Sequence, residues 1–175
     1  MKEIVLSGEI GWEIVAADVR KQIDSVKGEP LEICIASPGG SVFAGIEIYN
    51  IITGYRRNFP SSWIGCKVVG ICASMASYIA CNPAFNRVAA EDNAVFMIHN
   101  AWGGIQGDKN EMKKYASILD NIDTLLAAAY VNRTGKSVKE IKKLMDEETW
   151  FFGSEIKEAG FVDDILPGTG ETTGK

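Results

Sequence analysis

The sequence predicts an α/β fold of repeated βαβ units around a largely parallel sheet. Three observations carry that expectation. Apolar runs of strand length alternate with amphipathic runs of helical period along the whole chain. Turn-forming clusters separate them, Ser37-Pro38-Gly39-Gly40 above all. One helical pattern, over about 108–133, is much longer than the rest and is expected to project or to pack against a partner chain.

The elements follow in order. Lys2 to Ser7 reads as a strand closed by Gly8, and Trp12, Ile14, Val15, Val19, Ile23 and Val26 then recur at helical spacing up to Gly28. Leu31 to Ile35 alternates as a second strand, and the helix after Gly40 carries Val42, Ile46, Ile48, Tyr49 and Ile52 on its inner side. Residues 56–62 read as a polar loop. Trp63 to Val69 forms a third strand, Gly70 leads into a turn around Ser74, and a short helix runs from Met75 to Cys81. Arg87 to Ala89 and Val95 to Ile98 are strands. The long helix has Met112, Tyr115, Leu119, Ile122, Leu126 and Ala129 down one face and stops at Gly135. Ser137 caps the next helix, with Glu140 three residues on as a capping box. Glu155 to Ala159 is a last short helix, ended by Gly160, and Phe161-Val162 starts a final strand. Residues 1–165 form one domain, and the Gly/Thr-rich tail 166–175 is expected to be disordered.

Composition narrows the function. At 46% apolar and 23% charged residues, 175 residues suffice for one soluble domain with a core. The net charge is −5 with no basic stripe, which argues against nucleic acid and anionic membranes as partners. No apolar stretch is long enough to cross a bilayer. Glu3, Glu9, Glu13, Asp18 and Arg20 interrupt any signal-peptide core, so a cytoplasmic protein is expected. Cys34, Cys66, Cys72 and Cys81 form no C-x-x-C pair and sit in apolar surroundings, as reduced, buried thiols would. With one histidine they are a poor supply of zinc ligands; no metal or cofactor is expected.

That histidine, His99, ends an apolar run and lies 25 positions (99 − 74) after Ser74. Ser74 has small neighbours, which permit a tight strand-to-helix turn presenting its hydroxyl, although G-x-S-x-G is absent. Each residue has a plainer reading: Ser74 as a helix N-cap, His99 as a core histidine bonded to a carbonyl, and Gly39-Gly40 as a bare turn. Together they offer a nucleophile, a base and main-chain donors for an oxyanion.

Ser37-Pro38-Gly39-Gly40, Cys72-Ala73-Ser74-Met75-Ala76 and Met97-Ile98-His99, in that order, resemble the proteolytic subunit of the Clp protease, ClpP. The resemblance continues in Gly103-Gly104-Ile105-Gln106-Gly107 and in residues 153–163, and covers roughly residues 4–165. It implies a serine endopeptidase acting on peptides or proteins, on a ClpP/crotonase-like fold. By that resemblance Ser74 is the nucleophile, His99 the general base and acid, and the Gly40 and Met75 N–H groups form the oxyanion hole. The third triad position falls on Glu148, where the family has aspartate; Asp146 serves instead if the loop shifts by two residues, and the plain reading of this acidic run is a solvated helix end. The resemblance also implies a homo-oligomeric ring, with a strand at Gly103-Gly104 and the long helix forming a handle between two rings. The chain begins at its first core strand, without the axial segment by which ClpP contacts its ATPase. With Glu148-Thr149-Trp150-Phe151, this resembles the ClpP-related proteases of phage and prophage head maturation, so ATP dependence and an ATPase partner are not carried over.

Two alternatives stand beside a peptidase. Another crotonase-fold enzyme, an acyl-CoA hydratase or isomerase, would use backbone N–H groups and carboxylates without needing the serine–histidine pair. A catalytically inactive assembly ring would need neither. A serine–lysine signal peptidase ranks lower, because Lys67 lies on a strand and no anchor is seen.

Overall fold

The computed structural model describes residues 1–168. Its strands are β1 (Lys2–Ser7), β2 (Leu31–Ser37), β3 (Ile64–Ala73), β4 (Arg87–Glu91), β5 (Val95–Ile98), β6 (Thr149–Phe152) and β7 (Asp164–Leu166). The helices are α1 (Ala16–Val26), α2 (Val42–Asn58), α3 (Met75–Ala80), α4 (Lys109–Thr134), α5 (Val138–Asp146) and α6 (Ser154–Glu158). The order β1-β2-β3-β4-β7 is parallel throughout, as βαβ crossovers require.

β3 positions the site because it belongs to two pairings. Gly65–Val68 pair with β4, while Ile71–Ala73 pair with β5. Gly70 lies between them, and a Cβ there would meet only the Ala36 methyl, so the strand can change partner without a clash. The expected strand end at Val69 is therefore wrong: β3 runs to Ala73 and delivers Ser74 at its tip. β5 in turn pairs antiparallel with β6.

The core lies where α1 and α2 cover the sheet, with Val19, Ile23, Val26, Ile48, Ile51, Ile52 and Tyr55 packed against Ile4, Leu6, Ile33 and Ile35. α1 begins at Ala16 rather than at Trp12, because Ile10 is bridged to Ile14 and Gly40 and leaves Trp12 exposed. Arg56 and Arg57 belong to α2, not to a loop. The Arg56 guanidinium ties the helix end down, donating to the Ala84, Pro60 and Ser62 carbonyls. Phe161 and Val162 are buried, but the last strand starts later, at Asp164, and ends at Leu166. The Gly168 N–H donates to Asp92; the rest of the expected tail, residues 169–175, lies outside the described residues.

α4 starts at the expected place, with a reciprocal Asp108/Glu111 capping box, and Gly135 ends it in the left-handed conformation. Its C-terminal half is anchored through Leu126, Ala127, Ala129 and Tyr130, whereas Met112 and Ile118 in the other half are exposed. The strand expected at Gly103-Gly104 is absent from the described residues. Among the described residues no strand pairs with 101–107, and Trp102 is left 81% exposed. Among the described residues no helix is long and apolar enough to cross a membrane.

Candidate active site

Ser74 stands between β3 and α3 with φ 57° and ψ −124°, a conformation a non-glycine residue holds only under tertiary constraint. The constraints are visible. Its N–H donates to the Met97 carbonyl at 3.1 Å, and its own carbonyl accepts from Tyr78 N–H at 3.2 Å and Ser77 Oγ at 2.6 Å. Tyr130, fully buried on α4, bonds Ser77 Oγ at 3.0 Å and reaches the same carbonyl at 3.5 Å. Gly39, at φ +102°, completes the mould: a Cβ there would come within 2.6 Å of Ser74 Cβ. The Ser74 side chain makes no capping hydrogen bond. Its hydroxyl instead meets His99 Nε2 at 2.8 Å.

His99 follows β5 directly, and its side chain is 15% exposed. The antiparallel register Ile98↔Thr149, extended by one residue, sets Glu148 opposite His99. Glu148 Oε2 stands 3.6 Å from His99 Nδ1, beyond hydrogen-bond length. Glu148 is at φ 47°, its N–H donating to Met145 O at the end of α5, and its side chain is 58% exposed. Asp146 does not reach the imidazole; its Oδ1 accepts from the Asn100 side chain at 2.8 Å. A third carboxylate, Asp123 of α4, accepts the Ala101 N–H at 2.6 Å and so fixes the main chain just past His99. Burial raises the Asp123 carboxyl above its ordinary value, against the Ala101 N–H, which lowers it.

Ser74 and His99 open into a cleft of about 420 Å³, whose walls include Glu9, Gly40, Val42, Met97, Trp102 and Leu126. Gly40 and Met75 line it beside Ser74, and no acceptor among the described residues takes either N–H. Gly40 is held open-faced at φ +141° by the strap between its neighbours and Ile10, whose N–H donates to Gly39 O at 2.7 Å and whose carbonyl accepts from Ser41 N–H at 2.8 Å. Two main-chain donors are therefore left on residues that line the cleft together with Ser74 and His99.

Outside the cleft, Glu3, Glu32 and Cys34 bring ligand atoms within 4.8 Å of one another. Burial, with Glu3 and Glu32 beside it, pushes the Cys34 thiol up to about 11, so it is a protonated, poor ligand at neutral pH. All four cysteines are buried and free. Ser77, Tyr130 and Asp123 support the site without any local signal in the sequence: Tyr130 acts on Ser74 from 56 residues away and Asp123 on Ala101 from 22, while Ser77 acts through a hydrogen bond to the Ser74 carbonyl.

The parts are of the kinds a serine hydrolase uses: a hydroxyl on an imidazole, a carboxylate 3.6 Å from that ring, and two N–H groups without an acceptor among the described residues, on residues lining the same cleft. The sequence matches the Clp protease family over residues 1–169, and the chain belongs to that family. It is 32% identical over 145 residues to the ATP-dependent Clp protease proteolytic subunit of Bacteroides fragilis, covering 82% of this chain and 68% of that protein. It is 30% identical over 144 residues to the ATP-dependent Clp protease proteolytic subunit 2 of Thermobifida fusca, covering 82% of this chain and 68% of that protein. Proteolytic subunit 3 of Streptomyces avermitilis matches at 26% over 169 residues, 95% of this chain and 75% of that protein.

Proposed function

We propose that this chain is a serine endopeptidase cleaving peptide bonds in proteins, with Ser74 as nucleophile, His99 as general base and acid, and Glu148 as the group that steadies the imidazolium. His99 Nε2 takes the Ser74 proton as Oγ adds to the scissile carbonyl, and the Gly40 and Met75 N–H groups hold the oxyanion. The tetrahedral intermediate collapses, His99 returns its proton to the leaving amine, and an acyl-serine remains. Water, deprotonated by the same imidazole, releases the acid and restores Ser74. The observation that carries this reading is the 2.8 Å contact between Ser74 Oγ and His99 Nε2, in a serine whose strained backbone keeps it from capping its own helix. An acyl-CoA hydratase or isomerase has no use for that contact.

The exposed half of α4 supports a homo-oligomeric ring in which a second copy covers Met112 and Ile118, and the absence of a strand at 101–107 fits a segment that pairs only in the assembly. Cleavage without ATP, in the cytoplasm, during phage or prophage capsid maturation, is the specific setting we propose; it is supported by the resemblance of Glu148-Thr149-Trp150-Phe151. The 3.6 Å gap at Glu148 favours one second reading, a resting ring whose acid closes on His99 after assembly or substrate binding.

The test is hydrolysis of an unfolded protein such as casein by the purified chain, without nucleotide. Wild type is expected to cleave and Ser74→Ala to lose all cleavage. Cleavage that persists in Ser74→Ala contradicts the proposal, and an ATP requirement contradicts its ATP-free part alone.

A further inference from the structure

We infer that Glu9 makes this cleft select substrates with a lysine or arginine side chain next to the scissile bond; the inference rests on the peptidase reading of the Ser74–His99 cleft. Glu9 lines the cleft beside Gly40 and Ser41. Its backbone is rigidly placed. The N–H donates to Glu13 Oε2 at 2.7 Å, and the carbonyl accepts from Trp12 and Ile14 at 3.2 and 3.0 Å. The next residue, Ile10, is the one strapped to Gly39 and Ser41, so Glu9 is fixed to the segment that presents the Gly40 N–H. The side chain crosses that same segment: a Cβ on Gly40 would lie 3.0 Å from Glu9 Cγ.

The Glu9 carboxylate makes no hydrogen bond or ion pair among the described residues. Among the described residues it is the only carboxylate lining the cleft, and no lysine or arginine lines it. Val42, Met97 and Leu126 supply apolar wall. A bound acidic side chain would meet an unanswered like charge there. An apolar one would strip water from the carboxylate without replacing its hydrogen bonds. A basic one brings the missing counter-charge, while its methylene stem covers apolar wall. The expected order is therefore basic, then neutral, then acidic. Because Glu9 is solvent-accessible, the discrimination is modest, about 3- to 10-fold between lysine and a neutral isostere, and it weakens as salt screens the pair.

The experiment uses the full chain and a peptide set in which one position at a time, from three before to two after the scissile bond, is lysine, norleucine or glutamate. The readout is the ratio of kcat/KM for lysine over norleucine, which cancels the fraction of active protein and so survives partial misfolding of a variant. Wild type should favour lysine at one position, less so at high ionic strength. Glu9→Gln should lower that ratio about 3- to 10-fold, and Glu9→Lys should shift preference at the same position to glutamate. A ratio equal in wild type and both variants overturns the inference while leaving the peptidase reading intact. No turnover of any peptide by wild type overturns both, and is recognised by absent hydrolysis rather than by a flat ratio.

Discussion

Replacing Glu148 by glutamine removes the charge behind His99 while nearly keeping the side chain's shape. The carboxylate oxygen stands 3.6 Å from Nδ1 and its side chain is 58% exposed. At that distance a unit charge stabilises an imidazolium by about 1 kcal/mol in water and by about 4–5 kcal/mol at an effective dielectric constant near 20. The exposure places Glu148 between these limits and toward the lower one, about 1.5–3 kcal/mol, equivalent to roughly 10- to 100-fold in rate. A triad acid in full hydrogen-bond contact is worth more, on the order of 10⁴-fold. Steady-state hydrolysis of one peptide by wild type, Glu148→Gln and Asp146→Asn decides the matter. We expect a 10- to 100-fold loss in kcat for Glu148→Gln, and less than a few-fold loss for Asp146→Asn, whose amide oxygen still accepts from Asn100. A loss near 10⁴-fold in Glu148→Gln would show that the acid closes onto the imidazole during turnover. No loss there, with a large loss in Asp146→Asn, would refute the assignment of the acid.

Three further outcomes follow from the same geometry. Gly39→Ala should cost about 2–6 kcal/mol in urea unfolding and most of the activity, from left-handed strain plus the 2.6 Å approach to Ser74 Cβ; wild-type behaviour would show that the elbow has slack. Asp123→Asn keeps an acceptor for the Ala101 N–H and should keep activity, whereas Asp123→Ala should lower stability by about 1–2 kcal/mol and reduce kcat. Burial raises the Asp123 carboxyl in the fold, so it binds its proton more tightly there than in the unfolded chain; that contribution to stability is fully present below the unfolded value and fades as pH rises through the folded one, so the acid-side change in stability should be smaller in Asp123→Asn. Burial pushes Cys81 up to about 12 and raises Cys66 and Cys72 well above the ordinary 9.0. The unfolded chain therefore ionises first, and stability should fall as pH rises past 9.0 toward the folded values; equal unfolding midpoints at pH 7 and pH 10 would contradict that.

The sequence was most legible where one residue type dictates local geometry. Gly39-Gly40 marks a turn because only glycine tolerates its φ angles of +102° and +141°, and Ser137 with Glu140 marks a helix start because the two bond reciprocally. Ser74 and His99 are readable as a pair, but cap and elbow stay open in the sequence because the choice between them turns on the Ser74 backbone angles. β6 was hidden: Thr149–Phe152 is four residues long, follows an acidic run, and has a half-buried pattern that only β5 explains. The continuation of β3 through Gly70 was equally hidden, since glycine normally ends a strand and here allows a change of partner. Tyr130, 56 residues from Ser74, and Asp123, 22 residues from Ala101, are invisible to any local pattern.

Active-site labelling bears most directly on the central claim, that Ser74 is a nucleophile activated by His99. A fluorophosphonate added to the native protein, followed by peptide mapping, should place one adduct on Ser74, absent from Ser74→Ala and strongly reduced in His99→Ala. An adduct on another residue, or undiminished labelling in His99→Ala, would contradict the account.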